Sequence, residues 1–198
     1  MSAKPVLFID FDGTLRHDRF WRSLGPDHSK KIQSSLFSQD LRLVTDWMKG
    51  AYSSEEVNEK LALTLNVPFG FLWETFVKDC AGMSVDEAVL KKVNGLRKKY
   101  KTVLITDNMD CFERFTVPAL KLDEYFDVIV CSSKEKMLKN EDGGKLFRDV
   151  MLRFDGIPAQ SILIDDSKRS CSTFEALGGR SFLITKEKPL SHWLASMP

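Results

Sequence analysis

Two aspartates, Asp10 and Asp12, stand one residue apart after the apolar run Val6-Leu7-Phe8-Ile9 and just before Gly13. At a strand end both can point into one crevice while the glycine lets the chain turn sharply away. Two carboxylates so placed divide naturally between a nucleophile and a proton carrier. A carboxylate attacks phosphorus to give an acyl phosphate that water can hydrolyse, but two anions do not approach without neutralisation. Mg²⁺ meets that need, because a hard cation takes carboxylate, phosphate and water oxygens together. Asp10 and Asp166 are the hard ligands available at the ends of apolar runs, and a lysine must supply the remaining positive charge.

Holding such groups together requires a sheet whose strands end at one crevice. Short β-rich apolar runs occur at Val6 to Ile9, Thr102 to Thr106, Asp127 to Val130, Ser161 to Ile164 and Ser181 to Thr185, with helical patterns between them. Continuous apolar runs read as strands buried on both faces, and β/α alternation predicts an α/β fold with a Rossmann-like, doubly wound parallel sheet. Ligands bind beyond the carboxyl ends of such strands, where Asp10, Thr106 and the Asp165-Asp166 pair terminate their runs. Before the second strand, Ser84-Val85-Asp86-Glu87 has the form of a capping box. Val85, Val89, Val93, Leu96 and Tyr100 follow at helical spacing, with the Lys/Arg face turned to solvent.

Between Leu15 and Gly82 strand runs disappear. Helix-like segments follow one another at Ser29–Phe37, Leu41–Lys49, Ser53–Leu65 and Pro68–Cys80, so the chain divides into a core of residues 1–14 and 83–198 and an inserted all-helical cap domain of residues 15–82. Aromatic residues concentrate in the insert, among them Phe20, Trp21, Phe37, Trp47, Trp73 and Phe76. Packing of a small bundle accounts for most of them, with one or two left to line a pocket.

The 198 residues allow one well-buried domain plus a smaller module, and 43% hydrophobic with 29% charged residues is ordinary globular composition. With 29 basic and 28 acidic residues the net charge is +1, which gives no basic excess for nucleic acid. No apolar stretch approaches the ~18 residues of a membrane span. The N-terminus reads as a buried strand, unlike a signal peptide. Cys80, Cys111, Cys131 and Cys171 lack C-x-x-C spacing and are expected as reduced thiols in a cytoplasmic protein. His17, His28 and His192 form no zinc pattern.

Asp10-Phe11-Asp12-Gly13-Thr14 resembles the D-x-D-G-T motif that opens phosphatases of the haloacid dehalogenase-like (HAD) superfamily, followed here by Leu15. The resemblance continues through Thr106 at the end of Leu104-Ile105-Thr106, a lysine before a helix, and Asp165-Asp166 ending a later strand. It covers Pro5 to Phe11 and Ser84 to Thr185, while the insert matches only in position and helical type.

The resemblance implies Asp10 as nucleophile and Mg²⁺ ligand, and Asp12 as general acid then base and a ligand through its carbonyl. It further implies Asp166 as a direct ligand and Asp165 as the group orienting a metal-bound water. Thr106 and Lys139 would hold the phosphoryl group, with backbone N–H groups near Phe11 and Asp107 completing the cradle. Lys134, Lys136, Lys139 and Lys145 all lie in the relevant stretch; aligning Ser132-Ser133 puts Lys139 in register, and Lys145 is the alternative. The chain departs from the family pattern in two places. Asn140 to Gly144 replaces Pro-Asp-Pro, and Ser170 stands where relatives often have Asn or Asp.

Taken singly, Asp12-Gly13 is an ordinary turn, Asp166-Ser167 an ordinary N-cap, and Asp107 and Asn108 are helix-start residues. It is the joint order that points to Mg²⁺-dependent hydrolysis of a small phosphorylated metabolite, by a monomer or homodimer without nucleic-acid or membrane partners. A phosphomutase of the same superfamily and a catalytically weak phosphate-binding regulator are the alternatives. A dehalogenase needs no acid for its leaving group and would lack Asp12. A phospho-receiver would carry its aspartate after the third strand, where none ends Val128-Ile129-Val130.

Overall fold

A computed structural model describes residues 4–197. Five parallel strands, β1 (Val6–Ile9), β2 (Lys101–Thr106), β3 (Val128–Cys131), β4 (Ile162–Asp165) and β5 (Arg180–Leu183), form one sheet in the order β3-β2-β1-β4-β5. The α/β, doubly wound parallel sheet expected from the sequence is therefore present. Strand ends shift by one or two residues from the apolar runs, and Asp165 belongs to β4 itself.

Between the strands run α1 (Pro26–Ser35), α2 (Leu41–Met48), α3 (Ser54–Leu65), α4 (Phe69–Ala81), α5 (Glu87–Leu96), α6 (Val117–Leu120), α7 (Leu122–Tyr125), α8 (Ser132–Glu135), α9 (Lys145–Arg153) and α10 (Lys168–Ala176). Past β5 comes α11 (Leu190–Ser196).

The period-2 alternation of a strand explains why its apolar runs are unbroken. Leu7 and Ile9 of β1, Leu104 of β2 and Ile162 and Ile164 of β4 face a cluster with Leu90, Val93 and Leu96 of α5 and Leu190 and Leu194 of α11. Val6, Phe8, Val103, Ile105 and Leu163 point the other way, onto α9 and α10. There Phe8, Phe147 and Phe174 meet edge to face with centroids 5.2–5.5 Å apart. Each face of the sheet thus has its own helical cover, and polar side chains are left to collect at the strand ends.

The helix before β2 differs from its expected start. Asp86, not Ser84, is the N-cap, its carboxylate accepting the Ala88 N–H at 2.8 Å. Ser84 is instead engaged by Arg16, whose guanidinium donates to the Ser84 carbonyl at 2.5 Å. The capping box that does form is Ser53 with Glu56 at the start of α3.

Helices α1–α4 lie between β1 and β2 and pack around a second apolar cluster built on Trp21, Trp47, Leu72 and Phe76. Trp21 and Phe76 approach to 4.8 Å between centroids, and the Trp21 indole donates to Asn58 Oδ1 at 2.9 Å. Met109 and Cys111, from the segment after β2, enter the same cluster. Polar ties reinforce that joint. Asp110 accepts from Trp47 Nε1 and Ser54 Oγ, and Arg114 reaches both Glu55 and Asp110. All four cysteines are buried free thiols.

Candidate active site

Asp10 follows β1 directly, its N–H donating to the Ile164 carbonyl at 3.0 Å as a continuation of the ladder with β4. The chain then reverses: Phe11 O accepts from Leu15 N–H at 2.9 Å and Arg16 N–H at 3.0 Å, and Gly13 adopts φ +79°. A Cβ on Gly13 would lie 2.0 Å from Asp166 Oδ2, so glycine is required both by the turn and by the close approach of that carboxylate.

β1 sits between β2 and β4, so the ends of all three strands open on one crevice at the point where the strand order reverses. The Lys139 ammonium lies there with Asp10 Oδ1 and Asp165 Oδ2 each at 2.7 Å, all three groups buried. The lysine's own backbone N–H donates to Asp107 Oδ1 at 2.8 Å, so Asp107 fixes the loop that presents it. Asp165 Oδ1 accepts the Ser167 N–H at 2.8 Å, and Ser167 caps α10. Lys145 lies elsewhere, exposed on α9 and paired with Asp149.

Asp12 is oriented by Asn108, whose Nδ2 donates to Asp12 Oδ2 at 2.7 Å. Asn108 is itself held at both ends. Its N–H donates to Ser132 Oγ at 2.9 Å, and its Oδ1 accepts the Met109 N–H at 2.9 Å. Sequence reasoning gave Asn108 only a helix-start role, but helix begins later and the residue is a partner of Asp12. The available signal was a polar side chain two residues beyond a strand that ends at the crevice. Thr106 is fully buried, and its hydroxyl has no partner among the described residues. A buried, uncommitted hydroxyl is costly unless something polar comes to it.

The two departures noted in the sequence meet each other. Asn140 Nδ2 donates to Ser170 Oγ at 3.3 Å, while the Ser170 N–H donates to Ser167 Oγ. The replaced loop after Lys139 is thereby tied to the start of α10, beside Asp165.

Electrostatics follow from burial. Burial pushes the Asp10 carboxyl well above its ordinary range; Lys139 opposes this while Asp165 and Asp12 add to it. Burial raises Asp12 to about 6, against the pull of Arg19 and Lys139. Asp166 is raised by burial and by Asp165, and Asp107 by burial. For Lys139 burial favours the neutral amine, yet Asp10, Asp165 and Asp107 together hold its pKa above normal.

Five carboxylates, those of Asp10, Asp12, Asp107, Asp165 and Asp166, thus surround one ammonium that contacts two of them, a deficit of positive charge. Oxygens of Asp10, Asp165 and Asp166 lie within 4.8 Å of one another, an all-oxygen set that suits a hard divalent cation.

Breaking the lysine's double contact should be costly. Lys139→Met leaves Asp10 and Asp165 buried without their counter-charge, which should destabilise the metal-free protein by about 3–5 kcal/mol. Lys145→Met, which loses an exposed pair, should cost at most about 1 kcal/mol. Urea unfolding in chelator measures both, and similar midpoints for the two variants would contradict this account.

No family model matches the chain, and no curated protein matches it in sequence. Solved structures do resemble it. A HAD family enzyme from Bacteroides thetaiotaomicron is 19% identical, with 97% of this chain and 98% of that one covered and a TM-score of 0.78. The same enzyme has been solved in complex with magnesium and inorganic phosphate, at 20% identity, coverage of 96% and 98%, and a TM-score of 0.72. The L-2-haloacid dehalogenase of Xanthobacter autotrophicus, with chloropropionic acid covalently bound, is 14% identical over 93% of this chain and 80% of that one, with a TM-score of 0.64. No helix among the described residues is long and apolar enough to cross a membrane. At these identities it is the fold that is shared: this chain has the fold of the HAD family enzymes.

Proposed function

We propose that the protein is a Mg²⁺-dependent phosphohydrolase that transfers a phosphoryl group from a small phosphomonoester to Asp10 and then to water. The observation that carries this reading is the buried Lys139 ammonium shared by Asp10 and Asp165 at 2.7 Å each, with Asp12 in the same crevice. The arrangement supplies a nucleophile, a counter-charge and a proton carrier at one point.

Asp10, Asp165 and Asp166, with the Asp12 carbonyl, would hold the Mg²⁺, which when bound neutralises phosphate charge and keeps Asp10 ionised. Asp10 attacks phosphorus, and the bond from phosphorus to the alcohol oxygen breaks. Asp12, at a pKa of about 6, is protonated often enough near neutrality to give its proton to the departing oxygen. Asp12 then takes a proton from water as that water attacks phosphorus, releasing phosphate and restoring the Asp10 carboxylate. Lys139 and the unspent Thr106 hydroxyl stabilise the transferring oxygens. Asp107 acts on substrate indirectly, by presenting Lys139.

In the same reading, residues 15–82 are the cap, excluding water from the crevice and contacting the leaving group. The dehalogenase alternative is disfavoured by Asp12, whose orientation by Asn108 serves no purpose when a halide leaves.

Phosphate release from phenyl phosphate, assayed with Mg²⁺ and after exhaustive chelation, tests the proposal. Activity should disappear on chelation and return with Mg²⁺; full activity without metal would refute it.

A further inference from the structure

Beside Asp12 and Asp107 lies a partly open cavity of about 600 Å³. Small-molecule sites run from roughly 300 to 1,000 Å³, so a phosphoryl group at Asp10 would leave most of this space to the leaving group. Its walls are chiefly apolar: Phe20, Trp21, Phe37, Val44 and Met48 from the insert, and Met109 from the segment after β2. Three aromatic residues of the insert thus line the space, where the sequence suggested one or two.

The polar groups on the wall are mostly committed. Ser29 Oγ donates to the Gly25 carbonyl at 2.8 Å. Asp18 is paired with Arg16, and Arg22 donates to the Asp79 carbonyl at 2.6 Å and lies 3.6 Å from Asp18. Arg19 differs. Among the described residues its guanidinium has no carboxylate within 4.0 Å. It is exposed and lines the same cavity as Asp12, which places it on the wall shared with the reacting end. Gln33 offers the remaining polar side chain.

A polyol leaving group would bring hydroxyls against aromatic walls that cannot satisfy them. A ring would remove apolar surface on both sides from water, and a free guanidinium at the edge of such a space selects a carboxylate. Resting on the phosphohydrolase reading above, we propose that this cavity is the leaving-group site. Its substrate is a phosphomonoester whose alcohol joins a ring-sized apolar body to a carboxylate, with Arg19 as the specificity-determining residue that pairs with that carboxylate.

Three matched esters test this: 4-ethylphenyl phosphate, 4-(carboxymethyl)phenyl phosphate and 4-(2-aminoethyl)phenyl phosphate. Methylene groups insulate the ring from the charge in the two charged esters, so the three leaving groups are similar in basicity. The carboxymethyl ester should exceed the ethyl ester in kcat/KM by at least about tenfold, the scale of a charge-assisted hydrogen bond, and the aminoethyl ester should fall below both. In Arg19→Gln the ratio of the carboxymethyl to the ethyl ester should drop to about one, and Arg19→Lys should restore part of it. Because the ratio is internal to each variant, a general loss of activity or folding does not imitate the result.

A wild-type ratio of one or less, or a ratio unchanged in Arg19→Gln, overturns the inference while leaving the phosphohydrolase reading intact. If none of the esters releases phosphate, that reading fails instead. The cavity is then judged by titrating 4-hydroxyphenylacetate alone against tryptophan fluorescence. Saturable quenching that is lost in Arg19→Gln supports the site, and its absence refutes it.

Discussion

Asp10→Asn should form no phosphoenzyme and lose about 10⁶-fold in turnover, the scale seen when a covalent nucleophile is removed. The substitution is nearly isosteric, and the amide oxygen can still accept from Lys139, which bonds Asp10 Oδ1 at 2.7 Å. Geometry is therefore largely kept while nucleophilicity and metal affinity are lost. Thermal unfolding should show a folded protein, so the loss would belong to the chemistry. Incubation with ³²P-labelled phenyl phosphate and acid quenching checks this. Label on the Asp10→Asn protein would remove Asp10 from the mechanism.

Asp12→Asn should slow the overall reaction by about 10²–10⁴-fold, the usual weight of a positioned proton donor and acceptor, but the two half-reactions should suffer unequally. With an activated aryl phosphate the leaving group needs little protonation, so Asp10 is still phosphorylated. Hydrolysis then stalls because no carboxylate takes the proton from water. Rapid quenching should show acid-stable, base-labile phosphate on the peptide containing Asp10, accumulating before product reaches steady state. Asn108 gives the substitution a second aspect. Its Nδ2 donates to Asp12 Oδ2 at 2.7 Å, and an asparagine at position 12 can accept the same bond through its amide oxygen, so the side chain should keep its place. Phosphate on any other residue would overturn the assignment of roles.

The sheet and its order along the chain were legible because burial on both faces writes itself into sequence as unbroken apolar runs. Val6 to Ile9 could satisfy two helical layers only as a central strand, and β1 lies between β2 and β4. Asp10, Thr106 and Asp165 were legible for the same reason, since a polar residue that ends such a run must emerge at the strand's edge. The start of α5 was misread because Ser84 and Asp86 both suit an N-cap. The choice went to Asp86 when Arg16, from the far side of the insert, engaged Ser84.

By itself, then, the sequence determined the α/β architecture and the strand-end carboxylates, since both depend on local periodicity and on what a buried strand tolerates. Only the tertiary structure decided that the lysine in register, Lys139, enters the crevice and the alternative, Lys145, does not, because both lie in the same polar stretch along the chain. They separate only when the loop pinned by Asp107 carries one of them 129 residues back to Asp10. It also decided that Asn108 faces Asp12 and that Arg19 lines the cavity with no carboxylate partner among the described residues, an arrangement set by how the insert and the strand ends come together. Local composition carries no record of such pairings, because the energy that selects them is the burial of charge among partners distant in sequence.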